Sequence, residues 1–144
     1  MAVKQAVAKS AGYSRTTLAK KLGIKENFRI KLVNQPKYYF GLFCDMPQGI
    51  KVVKGKKTKK DLIHYFTTDA IRLGKELRGL RAEIQQDGAI WISWPKKAAK
   101  IASDVDENVV RGVALENGLV DVKVCAVDEI WSGLKLVIRV RERV

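Results

Sequence analysis

"LGKELRGLRAEIQQDGAIWISWPKK", residues 73–97, carries a helix, a turn and a strand in a single line. Ile71, Leu73, Leu77, Leu80 and Ile84 recur near the helical period, which predicts a helix starting from Asp69 with one apolar stripe. Asp87-Gly88 is a turn signal, and the "AIWISW" run (89–94) behind it reads as an unbroken apolar strand. Pro95 lacks an N–H and has a fixed φ, so the strand leaves its ladder there and aims Lys96 and Lys97 outward.

The same alternation extends in both directions. Upstream lie the strand-like "RIKLVN" (29–34), a short helical or irregular "KYYFGLFCDMPQG", then "IKVV" (50–53) and "LIHYFTT" (62–68). Downstream, Asp104 with Glu107 three residues on predicts a capped helix with Val109, Val110, Val113 and Leu115 as its apolar positions, ending at Asn117-Gly118. "VDVKVCAV" (120–127) and "LKLVIRV" (134–140) alternate like half-exposed antiparallel strands joined by "DEIWSG". Before all this, Ser14 as N-cap, Leu18 and Leu22 four apart, and Gly23 as a left-handed terminator mark a short helix. "TLAKKLGI" has the look of a helix-turn-helix start, but the β-branched "FRIKLVN" follows where a second helix is needed. The expected organisation is an N-terminal segment with a short helix (1–27) and one α/β domain (28–144). Strands alternating with helices predict a Rossmann-like, mostly parallel sheet with helices on both faces and a C-terminal antiparallel hairpin. In such sheets ligands bind at the carboxyl ends of the strands, beside the point where strand order reverses.

The net charge of +13 is unevenly spread. Residues 1–60 hold 15 Lys or Arg against only Glu26 and Asp45, whereas residues 61–144 hold 13 basic and 13 acidic side chains. That asymmetry points to an anionic partner. Cys44 and Cys125 have no metal-site or disulfide spacing. No apolar run approaches the roughly 20 residues of a membrane span, and a cytoplasmic protein without membrane contact is expected.

The stretch 73–97 resembles the part of class I S-adenosylmethionine-dependent methyltransferases in which a helix leads through a turn into the fifth strand. "ENVVRGVALENGLVDVKVCAVDEIWSGLKLVIR" resembles their last helix, sixth strand and final hairpin. From about Gly12 the whole chain resembles a family of small bacterial proteins, a domain of unknown function, most distinctively in "WPKK…DENVVR…GLVDVKVCAVDEIWSGLKLV". The resemblance implies a methyltransferase-like fold and no particular activity. Such enzymes follow their first strand with a glycine-rich turn and end their second with a carboxylate for the cofactor's ribose. Here the corresponding stretches read "LVNQPKYYFG" and "KVVKGKK". Neither determinant is present, so no cofactor is expected, and S-adenosylmethionine stays only as an alternative.

Candidate residues follow from position and charge. Trp94, Lys96 and Lys97 at the end of their strand, with Asn108 and Arg111 on the next helix, would suit a phosphate, carboxylate or nucleic-acid backbone. Asn34 and Gln35 end the first strand, beside the expected switch point, and Trp131 with Ser132 would rim it. Lys51, Lys54, Lys56, Lys57, Lys59 and Lys60, near Tyr38, Tyr39 and Phe40, suit single-stranded nucleic acid; the plainer alternative is a solvated connection. His64 inside "LIHYF" reads as a hydrogen-bonded structural histidine, Cys125 as a small hydrophobe, and Asp104, Asp106 and Glu107 as helix-start charges. No catalytic residue and no metal ligand is assigned. Three readings remain: a non-catalytic domain binding an anionic ligand or a macromolecular partner, protein included; a nucleic-acid binder; and a methyltransferase with an altered cofactor loop.

Overall fold

The structure, a computed structural model, describes residues 16–144. Its strands are β1 (Arg29–Val33), β2 (Lys51–Val52), β3 (Lys60–Phe66), β4 (Ile84–Pro95), β5 (Leu119–Ala126) and β6 (Trp131–Ile138). The helices are α1 (Leu18–Leu22), α2 (Ala70–Ala82) and α3 (Glu107–Glu116), with a 3-10 turn at Tyr39–Leu42. One sheet runs in the order β2-β1-β3-β4-β6-β5. The first four of these are parallel, and β6 lies antiparallel between β4 and β5. The expected mixed α/β sheet is therefore present, and its strand order reverses between β1 and β3.

Both faces of the central strands are buried, which is why β3 and β4 read as near-continuous apolar runs. On one face Ile63, Tyr65, Ile90, Ile92 and Trp94 meet Leu73, Leu77 and Leu80 of α2 and Val110 and Ala114 of α3. On the other, Leu62 and Trp91 meet Leu18 and Leu22 of α1 and Leu42 of the 3-10 turn. Trp91 Nε1 donates to Leu22 O at 2.9 Å, fastening the last turn of α1 to the sheet. Gly23 ends α1 at φ +79°, and β1 follows in place of a second helix. The cap of α1 is Thr17; Ser14 lies outside the described residues.

Three local readings change. Ile71 is 69% exposed because it sits two positions before Leu73, about 200° around the helix, and Ile84 has already left the helix to begin β4. Asp87-Gly88 does not precede the strand but bulges within it: Lys60 pairs with Ile84 and Leu62 with Ala89, so Gln85 to Gly88 stand opposite Asp61 alone. A Cβ on Gly88 would lie 3.0 Å from Gln85 O and 3.1 Å from Asp61 O, so the bulge needs glycine for close backbone approach. Finally, α3 is capped by Asp106, whose side chain accepts from Val109 N at 2.9 Å. Asp104 reaches across to α2 and accepts from Ala70 N at 2.8 Å, and Leu115 is exposed while Ala114 is buried.

Candidate ligand-binding cleft

At the reversal point a cleft of about 370 Å³ opens over the carboxyl ends of β1 and β3. Asn34, Phe66, Thr67, Thr68, Asp69, Arg72 and Trp131 line it. Asn34 stands in the left-handed region (φ +58°), which turns the chain sharply out of β1, and its Nδ2 donates to Phe66 O at 3.2 Å. That bond clasps the ends of the two strands together. Thr67 is nearly buried; its N–H donates to Ser93 O, and its hydroxyl accepts from Asp69 N at 3.0 Å. Asp69 Oδ1 accepts from Arg72 N and so caps α2. The Arg72 guanidinium is exposed and has no ion pair among the described residues. Phe66 and Trp131 meet edge to face at 5.1 Å and form the apolar wall.

Beneath the cleft lies a closed polar chain. His64 Nδ1 is 2.9 Å from Tyr39 Oη, and its Nε2 is 2.8 Å from Ser93 Oγ. His64 also stacks on Phe66, with ring centroids 4.3 Å apart. Burial pushes the imidazole down to about 3 and holds it neutral, with one nitrogen donating and the other accepting. Burial likewise pushes the Tyr39 phenol up. His64 is thus the hydrogen-bonded structural residue expected, and it pins the 3-10 turn onto the sheet. Burial also raises the Cys125 thiol, as fits an inert small hydrophobe. Among the described residues no three His, Cys, Asp or Glu gather as metal ligands, and no helix is long and apolar enough to cross a membrane.

The residues singled out from sequence are only partly brought together. Asn34 lines the cleft, and exposed Gln35 follows it without lining it. Trp94 is buried in the helix-side core, because it alternates with Ile90 and Ile92 on that face. Lys96 lies beside the β5–β6 turn, its N–H donating to Ile130 O at 2.7 Å, and Lys97 is exposed at the start of a 3-10 turn. Arg111 is clipped to Glu107 at 2.5 Å and to Asp121 at 3.1 Å, and it donates to Asn108 Oδ1 at 3.2 Å, so Arg111 braces its helix against β5. Of the lysine run, Lys51, Lys54, Lys56, Lys57 and Lys59 are exposed, and Lys59 Nζ donates to Ala82 O at the end of α2. Lys60 is a correction: its side chain is fully buried, with Nζ 2.7 Å from Glu83 Oε1 and also donating to Gly55 O. Lys31 approaches the same carboxylate at 2.9 Å. Lys60 therefore holds the β2–β3 connection from inside and cannot reach a nucleic acid. Thr68, Asp69 and Arg72 were missed, although a polar "TTD" closing an apolar strand just before a helix is a readable mark of such a cleft.

Two features that the resemblance attaches to an adenosyl site, a glycine turn after β1 and a carboxylate after β2, are missing from the matching stretches. Tyr39 lies 2% exposed against His64, Phe66, Phe40 and Phe43, fixing a bulky turn where a glycine loop would run. Between residues 34 and 59 the sole carboxylate is Asp45, which accepts from Thr17 Oγ1 at the start of α1, leaving none beyond β2 for ribose hydroxyls.

Solved structures with a similar fold share little sequence. Magnesium protoporphyrin IX methyltransferase from Synechocystis PCC 6803 with bound SAH superposes with a TM-score of 0.55 at 9% identity, over 96% of this chain and 82% of that one. The mitomycin 7-O-methyltransferase gives 0.58 at 9% identity, over 96% of this chain and 54% of that one. An enzyme described as performing a pericyclic reaction gives 0.54 at 10% identity, over 86% and 47%. The chain thus spans about half the length of the latter two. No family model matches the chain, and no curated protein matches it in sequence. Together with the strand order, these likenesses establish a class I methyltransferase-like fold.

Proposed function

We propose that the chain is a binding domain on a methyltransferase-like frame, holding a small carboxylate-bearing zwitterion in the cleft without transferring a methyl group. The observation that carries this reading is the pair of opposite charges at the reversal point: Asp69 and Arg72, the latter in no ion pair among the described residues, line the cleft together with Thr68 and Asn34. Arg72 presents a fork suited to a carboxylate, Asp69 Oδ2 accepts an ammonium, and Phe66 with Trp131 covers an apolar side chain. The cleft volume lies near the lower end of the range of about 300–1,000 Å³ for small-molecule sites. The missing carboxylate beyond β2 and the packed Tyr39 favour binding over the methyltransferase alternative.

Calorimetric titration with L-methionine and with S-adenosylmethionine tests this on the parent and on Arg72→Ala. L-methionine should bind the parent and bind the variant at least tenfold more weakly, with S-adenosylmethionine no tighter than the amino acid. If neither compound binds, the reading fails. If S-adenosylmethionine binds a hundredfold more tightly than methionine, the methyltransferase reading replaces it.

A further inference from the structure

On the face of the sheet that carries α1, five lysines form a row that no sequence segment displays. Lys123 of β5 and Lys135 of β6 are direct cross-strand partners. Lys123 Nζ donates to Lys21 O at 3.2 Å, which brings the last turn of α1 alongside. Lys135 Nζ lies 3.5 Å from where a Cβ would stand on Gly23, next in line after that turn. Beyond it Lys25 and Lys135 share a second cavity of about 370 Å³ with Arg143, Phe28 and Leu62. At the opposite end, Lys96 follows Pro95, whose strand partner is Trp131 at the root of the same hairpin. The electrostatics agree with this neighbourhood. Burial lowers the Lys135 ammonium, and Lys123 and Lys25 lower it further. Lys21, Lys123 and Lys96 all act on the Cys125 thiol between them.

None of the five is in an ion pair among the described residues. Asp61 and Asp87 lie on the wall of the second cavity, Glu26 adjoins Lys25, and Asp128 and Glu129 stand beside Ile130 near Lys96. Asp61 Oδ2 already accepts from Arg29 N and Asp128 Oδ1 from Ile130 N and Trp131 N. None of these carboxylates pairs with the five lysines. Like charges directly opposite in a sheet are destabilising, so the Lys123–Lys135 pair works against the fold. Lysine on an edge strand blunts strand addition, which would account for Lys123. It does not account for Lys135 on an inner strand, nor for Lys21 and Lys25 on and after α1. Uncompensated repulsion held in one place marks a surface shaped for something other than stability.

We propose that the group Lys96, Lys21, Lys123, Lys135 and Lys25 is a track for the phosphate backbone of a nucleic acid, crossing the β5–β6 hairpin at the Lys123–Lys135 pair. A polyanion can follow such a run of point charges, and Phe28 on the wall of the second cavity offers a ring for base stacking. The proposal stands apart from the cleft and from the lysine run of the β2–β3 connection.

Fluorescence anisotropy with a labelled single-stranded oligonucleotide, and with the matching duplex, tests it on the full chain. Parent binding should weaken steeply with salt. The Lys25→Gln/Lys123→Gln/Lys135→Gln variant should lose at least tenfold in affinity at low salt. Its slope of log K against log salt should flatten by about 2 for the single strand, or roughly 2.7 for the duplex, as three phosphate contacts disappear. A circular-dichroism melt no lower than the parent's shows that folding is intact, since the substitutions relieve repulsion. A Lys54→Gln/Lys56→Gln/Lys57→Gln variant should lose less than the track variant. The proposal is overturned if the parent binds neither oligonucleotide at low salt or if the track variant binds within twofold of the parent. Equal or tighter parent binding to mixed phosphatidylserine–phosphatidylcholine vesicles would assign the row to a membrane surface and overturn it as well.

Discussion

Acid should destabilise this protein well above the pH at which carboxylates protonate, through one side chain. His64 is the only histidine, fully buried between Tyr39 and Ser93, and its pKa is pushed down to about 3. In the unfolded chain it returns to about 6.5. Between those values the unfolded state takes up a proton that the folded state excludes, so stability is complete above pH 6.5 and is lost as pH falls. Linkage gives a loss of about 1 kcal/mol at pH 5.5 and roughly 2–3 kcal/mol at pH 4.5, relative to neutral pH. Glu83 titrates later. Burial raises its carboxyl, but hydrogen bonds from Lys60 and Lys31 outweigh that and hold it below the usual range. Its contribution is present above about pH 4.3 and is lost only as pH falls further. Urea unfolding at pH 7.5, 6.5, 5.5 and 4.5 reads the effect directly, with His64→Gln as the non-titrating reference. The parent should lose stability with the slope given and the variant should stay flat to about pH 5. A parent curve as flat as the variant's, or an imidazole NMR signal in the native protein titrating between pH 6 and 7, would refute the reasoning.

Glu83→Gln should lower the unfolding free energy by about 3–5 kcal/mol, because Lys60, with no exposed side-chain surface, is left as an uncompensated buried charge. Adding Lys60→Met in the same chain should recover more than half of that loss, as measured by urea titration. Gly133→Ala places a Cβ 3.2 Å from Trp91 Cε3 and 3.3 Å from Val127 Cγ2, so overpacking should cost about 1–3 kcal/mol in the same assay. Asp69→Ala removes the cap of α2 and should destabilise by about 1 kcal/mol, whereas Asp69→Asn keeps the cap and should stay within a few tenths. Loss of L-methionine binding in Asp69→Asn without loss of stability would separate ligand contact from capping.

The parts of the fold that could be read beforehand rest on local rules. Asp69 caps α2, Leu73, Leu77 and Leu80 face the sheet, and Gly23 and Gly118 both adopt positive φ at helix ends. The hairpin of β5 and β6 follows from simple alternation. What stayed hidden depends on register between distant strands. Ser93 is 29 residues from His64, and no spacing motif links them; the two meet because β3 and β4 run side by side. Lys60 looked like the last member of a solvated run. It is instead the first residue of β3, and Glu83 closes the helix that feeds the adjacent parallel strand, so both reach the same end of the sheet. Trp94 looked like a site residue because of its position beside Pro95. Its parity with Ile90 and Ile92 was the better guide, since alternate strand positions share a face.

Charge shows the same difference between order along the chain and placement in space. Residues 61–144 sum to zero, which directs attention to the first sixty. Yet the fold sets some of those charges on opposite faces. Asp104 and Asp106 cap helices, and Glu107 and Asp121 hold Arg111, all on the α2–α3 side of the sheet. Lys123 and Lys135 project from the other face, where α1 adds Lys21 and the following loop Lys25. Because neighbouring residues of a strand point to opposite faces, one hairpin can place Asp121 on one side and Lys123 beyond a bulge on the other, so its net charge hides a strongly cationic surface.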